Sequence, residues 1–244
     1  MINSPFCVWR ESILSWAVIV CAAGQGKRMG LGENKLFMDL HGKPLLVHTL
    51  EQWEDIPEIE HAIIVVRKGE AERVERMLNI HALKRAWQVV VGGEERQDSV
   101  YQGLLALQEA HPDHVLIHDG ARPFVAEAHI RALMDAANDY PAAILGIPVR
   151  DTIKVVSPTG KVQQTPERAA LWAAQTPQMF VYESIFHAHE HALKSGIRVT
   201  DDAALMEYLD LPVYIVEGSA HNIKLTTPED VELAEFLLQR RRNQ

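Results

Sequence analysis

The sequence predicts a doubly wound α/β fold: a mostly parallel sheet covered by helices on both faces, with a β-hairpin arm projecting from it. Three observations carry this expectation. Short apolar runs alternate with amphipathic stretches almost to the end of the chain, glycine-rich turns follow two of those runs, and the stretch Asp151 to Gln164 breaks the alternation. With 244 residues and 47% hydrophobic content, the chain can bury one good core. We expect a lead-in over residues 1–15 that adds nothing to the chemistry, then a single domain over 16–244.

Taken in order, Ala17-Val-Ile-Val-Cys21 is continuously apolar, which fits a strand buried on both faces, expected over Trp16 to Ala22. Pro44 suits a first helical position and opens a helix to Trp53. Strands then alternate with helices: Ala62 to Val66, helix Glu70 to Asn79, Trp87 to Val91, helix Gln97 to Glu109, Val115 to His118, helix Ala126 to Asp139, and Ala143 to Ile147. Thr152 to Val156 and Lys161 to Gln164 flank the turn sequence Ser157-Pro-Thr-Gly160 and read as a hairpin. An isolated hairpin is marginal in water, so a second subunit is a reasonable surface for it. Helices follow at Tyr182 to Lys194, Asp201 to Tyr208 and Pro228 to Arg241. Thr227 can cap the last of these, and Glu229 and Asp230 favour its positive end.

Charge narrows the function. Lys and Arg number 24 against 33 Asp and Glu, a net charge of -9, which disfavours nucleic-acid binding and makes any local cationic cluster stand out. Cys7 and Cys21 have no CxxC spacing, which points to a reducing, cytoplasmic setting. No apolar run reaches the roughly 18 residues of a membrane helix, and the start lacks the pattern of a secretory leader, so a soluble, unprocessed chain is expected.

In an open parallel sheet, ligands bind beyond the carboxyl ends of the strands. After the first strand comes AAGQGKRM, with Ala22, Ala23, Gly24, Gly26 and Arg28, and then Lys35. The glycines let backbone N–H groups close on an anion, and a nucleotide triphosphate is the obvious candidate. A Walker loop is excluded, because Cys21 stands where its first glycine belongs and Arg28 where Ser or Thr belongs. Met29 replaces the third glycine of the dinucleotide fingerprint. After the third strand, Gly92 and Gly93 lead into a helix carrying Ser99 and could read a base edge or a ribose, or form only a tight turn. HDGARP offers Asp119 to water, a metal or a hydroxyl and Arg122 to a phosphate, or the two as a structural pair. Asp119 alone is weak ground for a Mg²⁺ ligand, so no metal ligand is assigned. Lys224 lies in a short extended segment from which it can return to the phosphate site, or it is a solvated edge lysine. Ser99, His118 and Asp119 lack a GxSxG elbow, which argues against a hydrolase. His187, His189 and His191 read as a solvated helix face.

Read together, AAGQGKRM, NKLF, GGEERQDSV, HDGARP, PVRDTIK, LWAAQTPQ, TDDAALMEY and NIKLTTPED resemble the 2-C-methyl-D-erythritol 4-phosphate cytidylyltransferase family, over about Ala17 to Phe236. Cys21 and Asn34 depart from prolines that are more frequent there, and neither departure removes a charge. The resemblance implies a Rossmann-like nucleotidyltransferase that uses CTP, a sugar-alcohol phosphate and Mg²⁺. It implies Arg28, Lys35 and Lys224 as catalytic residues. It places Ala22, Ala23, Gly24, Gly26, Gly92, Gly93, Ser99, Asp119 and Gly120 at the nucleotide. Asp119, Arg122, Thr152, Arg168, Thr176 and Thr200 fall at the acceptor, with the 151–170 arm crossing a homodimer. Ribitol-5-phosphate cytidylyltransferases share AAG, HDxARP and NIKxTTP, whereas PVRDT and LWAAQTPQ favour the erythritol enzyme. A nucleotide-binding module without catalysis would need the loop but not both Lys35 and Lys224.

Overall fold

The computed structural model describes residues 14–24 and 34–242. β1 (Trp16–Cys21) opens the chain. A 3-10 turn at Lys35–Phe37, β2 (Asp39–Leu40), β3 (Lys43–Pro44) and α1 (Leu45–Glu51) follow. The alternating body comprises β4 (Ile59–Val66), α2 (Ala71–Ile80), β5 (Trp87–Val91), α3 (Arg96–Ala106), β6 (His114–Asp119), α4 (Glu127–Ala136) and β7 (Ala142–Pro148). An arm carries β8 (Val155–Val156) and β9 (Val162–Gln164). The chain returns through β10 (Trp172–Val181), α5 (Tyr182–Ser195), α6 (Ala203–Tyr208), β11 (Tyr214–Glu217) and α7 (Pro228–Arg242).

Seven strands form the main sheet in the order β11-β7-β10-β6-β1-β4-β5. All pairings are parallel except those of β10, which runs antiparallel to both β6 and β7. Alternate residues of β1 enter different cores: Val18 and Val20 pack with Leu46, Leu50 and Trp53, while Ala17 and Ile19 pack with Leu104, Val115 and Ile117. A strand buried on both faces has no polar side to alternate with, which is why its sequence reads as an unbroken apolar run. Each fully buried aliphatic side chain contributes on the order of 1.5–3 kcal/mol.

The five expected strands and seven expected helices form, with ends moved by up to three residues. β10 and β11 were not expected. Pro177 and three polar side chains interrupt the apolar pattern of β10, and β11 is a four-residue edge strand, largely exposed. The arm forms a shorter ladder than its sequence predicts, since Thr152 to Lys154 stay unpaired. Arm residues 151–170 are exposed except for the half-buried Ser157 and Pro166, and the exposed set includes Ile153, Val155, Val156 and Val162.

Candidate active site

Strand order reverses at β1, which has β4 on one side and β6 on the other, and the last residues of β1 and β6, Cys21 and Asp119, are register partners. That switch point opens a crevice at the carboxyl ends of the strands. A cleft of about 530 Å³ lies there, lined by Ala23, Gly24 and Lys35 after β1 and by Glu94, Arg96 and Ser99 at the start of α3. Asp119, Gly120 and Lys224 complete it. Gly120 turns the chain hard against β1: its N–H donates to the Cys21 carbonyl at 2.9 Å, and a Cβ there would lie 2.9 Å from that same oxygen.

Asp119 is the charge centre. Its Oδ2 meets Lys224 Nζ at 2.8 Å and Arg122 Nε at 3.5 Å, and its Oδ1 accepts from Arg96 Nε at 3.2 Å. Burial works to raise the pKa of this carboxyl. The charges of Arg96, Lys224 and Arg122 outweigh it and hold the group far below the ordinary carboxylate range. Arg96 also donates from Nη1 to Asp202 at 2.7 Å, and Asp202 meets His189 Nε2 at 3.2 Å. Cys21, beside them, is pushed up to about 12 by burial, so its thiol is unreactive at neutral pH.

Behind the carboxylate lies an uncharged support. The Asp119 N–H donates to Thr176 Oγ1 at 3.0 Å, Thr176 Oγ1 meets His118 Nδ1 at 3.1 Å, and His118 Nε2 meets the Arg122 carbonyl at 3.0 Å. A carbonyl only accepts, so Nε2 carries the proton and Nδ1 accepts from the threonine hydroxyl. Burial lowers the His118 pKa to about 4 and keeps the ring neutral. Arg122 donates to the Asn222 carbonyl at 2.7 Å, and Asn222 Nδ2 donates to the Thr176 carbonyl at 2.9 Å. Leu225 N–H donates to Ala121, and the Leu225 carbonyl accepts from Lys35 Nζ. The Lys224 segment is thereby fastened to Lys35 and to the turn after β6 without forming a strand.

The structure brings Ala23, Gly24, Lys35, Ser99, Asp119, Gly120 and Lys224 to one cleft. Gly26 and Arg28 lie outside the described residues. Ala22 is tied into the sheet through its N–H to Val65 at 2.7 Å. Gly92 and Gly93 sit at the turn into α3, where a Cβ on Gly92 would lie 2.5 Å from Ser99 Oγ. They therefore bring Ser99 close, and the Ser99 hydroxyl donates to the Glu95 carbonyl at 2.9 Å. Arg122 is committed to Asp119 and the Asn222 carbonyl, and Thr176 to the support just described. Thr152, Arg168 and Thr200 are exposed, the first two on the arm.

One expectation is overturned: His187 and His191 are exposed as predicted, but His189 is buried against Asp202 and Tyr101. Arg96 and Asp202 were missed, although GGEERQDSV and TDDAALMEY contain them, because no local spacing reveals a contact between residues 106 apart. Asn34 is more than a tolerated departure from proline. Its Oδ1 accepts from Leu36 N–H at 3.1 Å and its Nδ2 donates to the Ala22 carbonyl at 3.2 Å, fixing the Lys35 turn to the end of β1.

A family model for 2-C-methyl-D-erythritol 4-phosphate cytidylyltransferase matches residues 16–240. The chain belongs to this family. Cytidylyltransferases so named from Shouchella clausii and Bacillus pumilus are 48% and 46% identical to it, over 95% and 91% of this chain and 100% and 96% of theirs. The crystal structure of 4-diphosphocytidyl-2C-methyl-D-erythritol synthase from Anaerococcus prevotii superposes with a TM-score of 0.83 at 32% identity, covering 93% of this chain and 97% of that one. The protein is thus an enzyme, a nucleotidyltransferase with the α/β fold of its family. The family is consistent with use of a divalent metal. Among the described residues, no cluster of three or more His, Cys, Asp or Glu could hold such an ion, and no helix is long and apolar enough to cross a membrane.

Proposed function

We infer that this cytidylyltransferase joins CTP to 2-C-methyl-D-erythritol 4-phosphate, giving 4-diphosphocytidyl-2-C-methyl-D-erythritol and pyrophosphate for isoprenoid precursor synthesis. The observation that carries the reading is the convergence of Lys35, Lys224 and Asp119 on one cleft at the switch point, in a chain of this family. An acceptor phosphate oxygen attacks the α-phosphorus, a new P–O bond forms in line, and the bond to the departing pyrophosphate breaks with its electron pair. The acceptor is already ionised, so no general base is required. Catalysis reduces to bringing two anions together and stabilising the charge on the equatorial and leaving oxygens.

Lys35, with Arg28 from the glycine loop, holds the triphosphate, and Lys224 serves the α-phosphate. The cleft walls at Ala23, Gly24 and Ser99 take the nucleotide. Mg²⁺ takes most of its ligands from phosphate and water. Both Asp119 oxygens are already taken by Arg96, Lys224 and Arg122, so no residue is assigned as its direct ligand. When bound, Mg²⁺ neutralises charge on the triphosphate.

Residues 16–244 act as one catalytic domain in the cytoplasm, and the 151–170 arm packs on a second copy. The exposed Val155, Val156 and Val162 support that assembly, since an apolar hairpin exposed to water gains by being covered. In the dimer, Thr152 and Arg168 complete the partner's acceptor pocket. The test is pyrophosphate release from CTP with methylerythritol phosphate, with ribitol 5-phosphate, and with no acceptor. Release with the first alone is expected. Release only with the second makes the protein a ribitol-phosphate enzyme, and binding of CTP without release makes it a non-catalytic module.

A further inference from the structure

The charge at the cleft does not end at Asp119. It continues inward through Arg96 to Asp202 and His189, none of which the transfer reaction as described employs. The two oxygens of Asp119 are divided between partners: Oδ1 serves Arg96, and Oδ2 serves Lys224 and Arg122. A carboxylate with only one ammonium partner is free to rotate and to follow it. Here the guanidinium prevents that, because it grips a second carboxylate at its other edge.

That second carboxylate is itself fixed. Gln97 on α3 donates from Nε2 to the Ile197 carbonyl at 3.0 Å and accepts the Val199 N–H at 3.2 Å, which holds the chain leading to Asp202. Gln178 on β10 donates to Asp201 at 2.8 Å and accepts the Ala203 N–H at 3.3 Å. Asp202 is 1% exposed and Lys224 39%, so the series runs from a rigid interior to a side chain facing the cleft. A planar guanidinium spans two carboxylates in a set orientation, which a single ammonium does not.

We propose that Arg96 is a positioning residue for the transfer step: anchored on Asp202, it takes Oδ1 of Asp119, turns Oδ2 toward Lys224 and so fixes that ammonium against the reacting phosphorus. The assignment rests on the reading of the cleft as a nucleotidyl-transfer site. Arg96 also lines the cleft wall, but the role assigned to it is its grip on Asp119, and Asp202 has the task of holding the guanidinium rather than a ligand.

The test pairs Arg96→Met with Asp202→Asn, so that no buried carboxylate is left without its cation, and measures melting temperature, kcat and the KM for CTP. The acceptor is whichever phosphate the wild type uses, which keeps this test separate from the identity of the acceptor. With the melting temperature recovered relative to Arg96→Met alone, kcat should fall about 10- to 100-fold, the cost expected of a misplaced catalytic group. The KM for CTP should stay within about threefold. The same pair introduced beside Lys224→Ala should cost less than about threefold more, because the effect passes through Lys224. Arg96→Lys, which keeps the charge, serves if the pair does not fold, and kcat should fall about tenfold. A folded pair or Lys variant with wild-type kcat overturns the proposal. Losses that multiply fully in the Lys224→Ala background, or that appear only in KM, also overturn it. A wild type that releases no pyrophosphate with any acceptor defeats the transfer reading, and this proposal with it.

Discussion

The cleft and the arm solve opposite problems. In the cleft, each buried charge of the Asp119 network is met within the same chain, by side chains fixed in turn by α3, β6, β10 and the segment before α7. On the arm, the two short strands pair only with each other and leave Val155, Val156 and Val162 in solvent. The first region is organised before anything binds. The second stands exposed to water. Substitutions in the cleft should therefore act on the chemistry or on the fold of a single chain, and substitutions on the arm should act on the acceptor and on assembly.

Lys35→Ala gives the largest effect, lowering kcat about 100- to 1000-fold as loss of a preorganised charge contact does, measured by pyrophosphate release. Near-normal turnover would remove the lysine from the mechanism. Next comes the neutral support behind Asp119. His118 titrates at about 4 when folded against 6.5 ordinarily, so as pH falls the unfolded chain takes its proton first. Stability should drop between pH 6.5 and 4, by about 3 kcal/mol more in the wild type than in His118→Gln, read from urea denaturation across that range. Equal slopes in the two proteins would mean that His118 is not held neutral.

Arm changes should leave that pH dependence unaltered. Arg168→Ala should raise the KM for the acceptor phosphate about tenfold, as loss of one charged hydrogen bond does, with the KM for CTP little changed. Equal weakening of both substrates breaks the division between the regions. Val156→Asp with Val162→Asp should reproduce that loss and shift the sedimenting species toward a single chain. Thr152→Ala is expected to be smallest, a few-fold in acceptor KM, since it removes one neutral hydroxyl.

What the sequence reveals follows the same division. Strands buried on both faces announce themselves as apolar runs, so β1, β4 and β6 and the residues at their ends were legible, and with them Lys35, Asp119 and Lys224. β10 was not, because Gln175, Thr176, Pro177 and Gln178 lie inside it. Those are the positions where the strand supports Asp119 and Asp201 instead of packing apolar surface. Arg96 could be seen as part of a motif but not as a bridge, since its two carboxylates come from β6 and from the turn before α6. The arm was recognised from its turn sequence, although nothing local fixes how long its ladder runs.

The two ends of the arm meet. Pro148 and Trp172 are register partners where β7 and β10 pair, and Val149 N–H donates to the Leu171 carbonyl at 3.0 Å. In topological terms the arm is therefore an insertion, an overgrown hairpin loop on a pair of strands already closed beneath it. A tight turn joining Val149 to Leu171 would complete the same pair with nothing between. The arm thus lies outside the sheet's own pairing, carried by two strands that are already hydrogen-bonded to each other beneath it.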